Sequence, residues 1–126
     1  MVGGMLVDDF IMRQIQKIAD MLAAIARAPV GSVPEGAEQD LRDVYRDLLG
    51  MDPDDVEMLD DETLLRALRT DAEKEALVDL LRVHAEVCAR TDDLGGARRR
   101  LARAIGLMPE GDARLEAALM RLGELG

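Results

Sequence analysis

Between Asp8 and Arg27 the apolar residues Ile11, Ile15, Ile18, Leu22 and Ile25 recur at alternating intervals of four and three. That spacing gathers them on one face of a helix, with Arg13, Gln16 and Asp20 on the other. Pro29 and Gly31 close the element. A second stripe, Leu41, Val44, Tyr45, Leu48 and Leu49, predicts a helix over 35–49. Ser32 and Glu35 have capping-box spacing ahead of it, Pro34 suits a first turn, and Gly50 suits the C-terminal cap. Asp52 before Pro53 is expected to cap a short helix over 54–59. Asp60 or Asp61 should cap another through Leu64, Leu65 and Leu68. Thr70 and Glu73 repeat the capping-box spacing before a long helix to about Arg90. Its Leu77, Val78, Leu80, Leu81, Ala85, Val87 and Cys88 cover more than half the circumference, which makes it the most buried element expected. Asp93 caps a helix with Leu94, Ala97, Leu101, Ala104, Ile105 and Met108 on one face, and Pro109 stops it. A last helix places Leu115, Ala118, Leu119 and Leu122 together. No segment alternates with a period of two, so no sheet is expected.

The expectation is an all-α chain of five to seven helices forming one domain over 1–126. Within it, 8–50 is a helix pair, 52–69 an acidic connector with short helices, 71–109 a second pair and 111–124 a terminal capping helix. At 126 residues such a domain buries roughly two-thirds of its unfolded surface, enough for a core without disulfides or metal.

Charge narrows the partners. The formal net charge is -10, whereas nucleic acid is held by clustered Lys and Arg. Phe10 and Tyr45 are the only aromatic residues, too few for a base-stacking platform. Residues 35–62 carry twelve acids against Arg42 and Arg46, which accounts for the whole excess. Near the other end Arg98, Arg99, Arg100 and Arg103 fall within six positions, so the chain reads as a charge dipole. No apolar run reaches the ~18 residues needed to span a bilayer, and Met1 to Val7 lacks the basic flank of a secretory leader. A single cysteine, Cys88, fits a reducing compartment. The expectation is a soluble cytoplasmic protein without a membrane partner.

Two segments, Gly50-Met51-Asp52-Pro53 and Gly106-Leu107-Met108-Pro109, each end an amphipathic helix 56 residues apart. At that shift Leu41, Tyr45 and Leu48 fall on Ala97, Leu101 and Ala104. The second half, about 78–111, resembles a tetratricopeptide repeat, a helix-turn-helix unit of about 34 residues. Taking Pro109 as the closing proline puts Ala85, Ala97 and Ala104 at the small-residue positions and Leu81 and Leu101 at large ones. His84 and Cys88 depart from the pattern, which usually has Leu and an aromatic there. The stretches Asp8-Asp9-Phe10-Ile11-Met12-Arg13-Gln14-Ile15, Leu48-Leu49-Gly50-Met51-Asp52 and Asp60-Asp61-Glu62-Thr63-Leu64-Leu65 are similar to a bacterial family of unknown function with a tetratricopeptide-like ending. The resemblance implies an antiparallel helical array acting as a protein-interaction or scaffolding module.

Chemistry has few candidates. His84 and Cys88 share a helical face at a spacing of four, as two zinc ligands would, but no second His or Cys completes the set. They read as a core histidine beside an inert thiol. A calcium loop begun at Asp52 puts Val56 at its fifth position, Glu57 where Gly is needed and Thr63 at its twelfth, and so fails. Glu35 and Glu38, with Glu57 and Asp60 further on, have the paired i, i+3 spacing by which facing helices hold Mg²⁺ in all-helical nucleotide pyrophosphohydrolases. That is the alternative function. Ser32 and Cys88 lack an evident base for nucleophilic catalysis. Gly95-Gly96 at a helix start reads either as an anion-binding N-terminus or as a place of close packing. Arg98, Arg99, Arg100 and Arg103 are the binding residues expected, facing acids of a protein partner or a second copy in a homodimer. Local pairing with Glu86, Asp92 or Asp93 is the bland alternative. No catalytic residue, metal or cofactor is expected.

Overall fold

A computed structural model describes the backbone of residues 2–126 and the side chains from Asp9 onward. Met1, where the stretch read for a leader begins, lies outside the described residues. Among them there are seven α-helices and no strand: α1 (Val2–Arg27), α2 (Ala37–Leu49), α3 (Pro53–Met58), α4 (Asp61–Ala67), α5 (Asp71–Arg90), α6 (Leu94–Leu107) and α7 (Leu115–Leu125). The all-α expectation holds at this level. No helix is long and apolar enough to cross a membrane among the described residues.

The long fifth helix is the centre of the packing. Ten of its residues are buried, and Leu77, Leu80 and Val83 are fully so. One side of α5 meets α1 and α2 in a core that also takes Val56 from α3, Leu64 from α4 and Leu68 from just after α4. Its other side meets α6, which in turn packs on α7, around Ala85, Cys88, Ala97, Leu101, Ala118 and Leu125. Each fully buried leucine or valine is worth about 1.5–3 kcal/mol, so α5 is the element the fold can least spare. Thr70 and Glu73 form the anticipated capping box at its start.

Local chemistry explains where the boundaries differ from the pattern. The first helix begins at Val2, ahead of the stripe that starts after Asp8. Its buried face is Ile11, Gln14, Ile18, Met21 and Ile25, with Ile15 and Leu22 half-buried. The second helix begins at Ala37 instead of residue 35, and the Ser32–Glu35 capping box does not form. The Ser32 hydroxyl donates to the Pro29 carbonyl at 2.8 Å. Gly36 takes a left-handed φ of 81° at the N-cap, a turn that glycine makes without steric cost. Gly50 caps the other end as anticipated, donating its N–H to the Arg46 carbonyl.

Asp52 occupies the N-cap position of α3 without capping it. Its carboxylate accepts instead from Arg46 Nε at 2.6 Å, a charge-assisted bond that outcompetes a neutral backbone donor. Asp60 does cap α4, through the Thr63 N–H at 2.7 Å. The last helix starts at Leu115, later than residue 111, because the Asp112 carboxylate accepts from the Arg114 N–H and guanidinium and holds the preceding turn. Its buried positions are Ala118 and Leu125, and Leu119 is half exposed.

Candidate functional site

His84 lies mid-way along α5 facing α2, α3 and α6, and it organises the most polar part of the interior. The Tyr45 hydroxyl from α2 is 2.8 Å from its Nδ1, and Arg100 Nε from α6 donates to the same nitrogen at 3.0 Å. A guanidinium can only donate, so Nδ1 is the acceptor and the ring carries its proton on Nε2. Burial, and then the Arg100 charge, push the imidazole pKa down to about 3. The ring is therefore neutral throughout the ordinary pH range. The same burial drives the Tyr45 phenol well above its usual range.

Arg100 is itself nearly enclosed, with 10% of its side chain exposed. Its Nη1 donates to the Gly96 carbonyl at 3.2 Å, and its Nη2 to Glu57 Oε2 at 2.8 Å. Arg99 Nε donates to the other oxygen of Glu57 at 2.7 Å. This Arg99 hydrogen bond is the main reason that the Glu57 carboxyl titrates below its ordinary value. Arg103 donates to Asp61 at 2.9 Å, to the Val56 carbonyl at 2.9 Å and to the Leu59 carbonyl. Arg98 reaches the Leu125 carbonyl at 2.8 Å.

All four arginines singled out in the sequence are thus engaged within the chain. Their acids are not the local Glu86, Asp92 and Asp93: Glu86 pairs with Arg121, and Asp93 caps α6 through the Gly96 N–H at 2.9 Å. Arg99, Arg100 and Arg103 clamp the acidic connector instead, holding α3 and the start of α4 against α6. The two poles of the charge dipole lie side by side. A cavity of about 180 Å³ adjoins the clamp, with Tyr45, Val56 and Leu81 on its apolar wall and Glu57, Arg99, Arg100 and Arg103 on its polar one.

The remaining candidates are placed as follows. Glu57 is bound to the two guanidiniums, Asp60 is a helix cap, and Glu35 precedes α2, so it does not share a helical turn with Glu38. No group of three or more His, Cys, Asp or Glu is arranged to hold a metal ion among the described residues. Cys88 is buried, and desolvation raises its thiol pKa. The N–H of Gly96 serves the Asp93 cap. A Cβ on Gly96 would collide with the Asp93 carboxylate and sit 2.8 Å from Arg100 Nη1, so close packing explains this glycine.

A second concavity lies between α1 and α2. Met21, Ala37 and Val44 form its floor, and Asp20, Glu35, Asp40 and Asp43 its rim, in a volume of about 390 Å³. Lys17 is the only cation at this rim and also faces Asp47 at 3.8 Å.

Sequence reasoning missed the Tyr45–His84–Arg100–Glu57 chain and the burial of Gln14, which is 3% exposed and donates weakly to Asp47 at 3.4 Å. A usable signal existed for the first: the only tyrosine and the only histidine both fall in apolar stripes, and buried hydroxyl and imidazole groups need partners.

Comparison of the chain with protein-family models, with curated proteins and with solved structures finds no match.

Proposed function

We propose that the chain is a non-catalytic interaction module that takes a basic segment of a protein partner in the groove between α1 and α2. The observation that carries this reading is the pairing of an apolar floor with an acidic rim there. At about 390 Å³ the groove falls within the range of roughly 300–1,000 Å³ typical of ligand-binding clefts. It suits one or two apolar side chains flanked by Lys or Arg. The apolar anchor supplies affinity, and the rim supplies selection and encounter rate. A partner in trans is favoured over a second copy, because the chain's own arginine cluster is occupied by Glu57 and Asp61. The neutral His84 and the desolvated Cys88 support the non-catalytic side of the proposal, since neither is poised to move a proton or attack at neutral pH.

The tetratricopeptide-like, antiparallel arrangement of α5 and α6 belongs to the same proposal. It is supported by the burial of Ala85, Ala97 and Ala104, at 1%, 0% and 0% exposure, where the two helices meet. Small residues at those positions let the backbones approach closely. A lone cysteine without a disulfide partner supports a reducing, cytoplasmic setting.

The test uses synthetic amphipathic peptides alternating leucine with lysine, and acidic peptides of the same apolar content, read by fluorescence anisotropy. The Lys peptide should bind, and Asp40→Lys with Asp43→Lys should abolish the binding. Asp54→Lys with Asp55→Lys changes the net charge equally on exposed positions of α3 and should leave most of it. Equal loss in both double variants would assign the binding to the overall acidic field and end the groove reading.

A further inference from the structure

We propose that the cavity between α3 and α6 is an anion site for a phosphate monoester, and that Glu57 occupies it as an internal substitute for that ligand. This inference is independent of the groove between α1 and α2.

Three guanidiniums line the cavity: Arg99 and Arg100 meet at Glu57, while Arg103 spends its three nitrogens on Asp61 and on the Val56 and Leu59 carbonyls. Glu57 is the one carboxylate that Arg99 and Arg100 share, so removing its charge leaves both of those guanidiniums without their direct anion. Arg100, held by His84 and by the Gly96 carbonyl, points one Nη at the anion position from an almost buried base. One fixed donor from Arg100, with Arg99 beside it, offers an oxyanion two-point recognition. Arg99 commits a single N–H to Glu57 out of the five its headgroup carries, so donors remain for a ligand with more oxygens than a carboxylate. A monoester dianion carries twice the charge of Glu57 and a third acceptor oxygen, so it is the better match for the cluster.

The substitute is also removable. Glu57 sits on α3, a helix of six residues whose only buried side chain is Val56. The cavity measures about 180 Å³ with Glu57 on its wall. That is room for a phosphoryl group with a small substituent. Tyr45, Val56 and Leu81 offer that substituent an apolar wall.

The experiment compares the parent with Glu57→Gln, which keeps the shape and removes the charge. Inorganic phosphate and then phenyl phosphate are titrated against chloride at matched ionic strength, and affinity is read from thermal shift and from the arginine Nε–Hε resonances. Glu57→Gln should bind phosphate about tenfold more tightly than the parent, a difference of ~1.4 kcal/mol, and Arg99→Gln in that background should remove the gain. Phenyl phosphate binding more tightly than inorganic phosphate would assign the site to phosphorylated small molecules or side chains. The reverse order would overturn the monoester reading. Equal phosphate affinity in the parent and in Glu57→Gln, or no binding to either, would overturn the proposal. Should Glu57→Gln fail to fold, the parent at high phosphate decides alone: movement of the Arg99 Nε–Hε resonance with phosphate and not with chloride supports the site, and a stationary resonance overturns it.

Discussion

The single lone pair of His84 Nδ1 is shared by two donors, and the consequence can be measured with a double-mutant cycle on Tyr45→Phe and Arg100→Met. Removing one member of a fully buried ion pair costs about 3–5 kcal/mol, because a charge is left without a partner. The geometry around Arg100 argues for less. Glu57 is 33% exposed and keeps its bond to Arg99 at 2.7 Å, and His84 keeps the Tyr45 hydroxyl at 2.8 Å. The Gly96 carbonyl remains in the backbone ladder of α6. Methionine also retains most of the packing of the arginine stem. Arg100→Met is therefore expected to cost about 1–2 kcal/mol, and Tyr45→Phe about 1 kcal/mol for one lost hydrogen bond. Together they leave a buried imidazole nitrogen with no donor, which adds roughly 1–3 kcal/mol beyond the sum of the singles. Urea unfolding followed by far-UV circular dichroism measures all four corners of the cycle. Additivity within ~0.5 kcal/mol would refute the shared-acceptor reasoning, and so would an Arg100→Met cost of ~4 kcal/mol or more, which would mean that Glu57 is not rescued by Arg99 and water.

Acid sensitivity follows from the same ring. With the folded pKa depressed to about 3 and the free value at 6.5, the unfolded chain takes up a proton below pH 6.5 that the folded chain refuses until about pH 3. Stability should fall across that window, approaching ~1.4 kcal/mol per pH unit. The carboxylates of Glu57, Asp60 and Asp112 have lowered values and also lose stability as pH falls, but from below their unfolded pKa values near 4. Urea midpoints between pH 6.5 and about 5 thus isolate His84, and His84→Asn should flatten that part of the curve; an unchanged slope would mean that the folded ring protonates. Gly96→Ala should destabilise by ~1 kcal/mol or more, because its Cβ displaces the Asp93 cap. Gly95→Ala meets only the flexible tip of Arg99 at 3.3 Å and should be neutral or stabilising in a thermal melt, and equal losses at both positions would sink the steric argument.

Elements with a dense apolar period and a local cap were legible in the sequence. The fifth helix is the clearest case: Thr70 and Glu73 set its start, and the wide arc of Leu77 to Cys88 announced its central position, since both signals act within a few residues. The same reasoning misplaced the start of α2 because capping spacing is necessary for a box but not sufficient for one. Ser32 had a nearer acceptor in the Pro29 carbonyl, and Gly36 offered a cheaper turn. Asp52 was lost as a cap for a parallel reason, with Arg46 competing for its carboxylate. Each of these errors is a competition between two local hydrogen bonds, and a spacing rule considers only one of them.

The clamp between α6 and the acidic connector is a different kind of limit. Composition shows an arginine run and an acidic run, and Coulomb attraction makes their meeting expected, yet it does not say within which chain they meet. Arg99 and Glu57 are 42 residues apart, and what brings them together is neither charge. Val56 is driven into the core beside α2 and α5, and this carries Glu57, its neighbour, to the edge of α6. Ala97 and Leu101 turn the opposite face of α6 inward, which leaves Arg99 and Arg103 on the side that the connector approaches. Apolar burial thus sets the addresses and the ion pairs follow. The pairing was illegible because the sequence shows each stripe separately, whereas the angle between two stripes is decided by the helices between them. By the same reasoning, a ligand or partner that competes for Arg99 does not have to break the core. It needs only to displace one carboxylate on a six-residue helix, and Val56 can stay where it is.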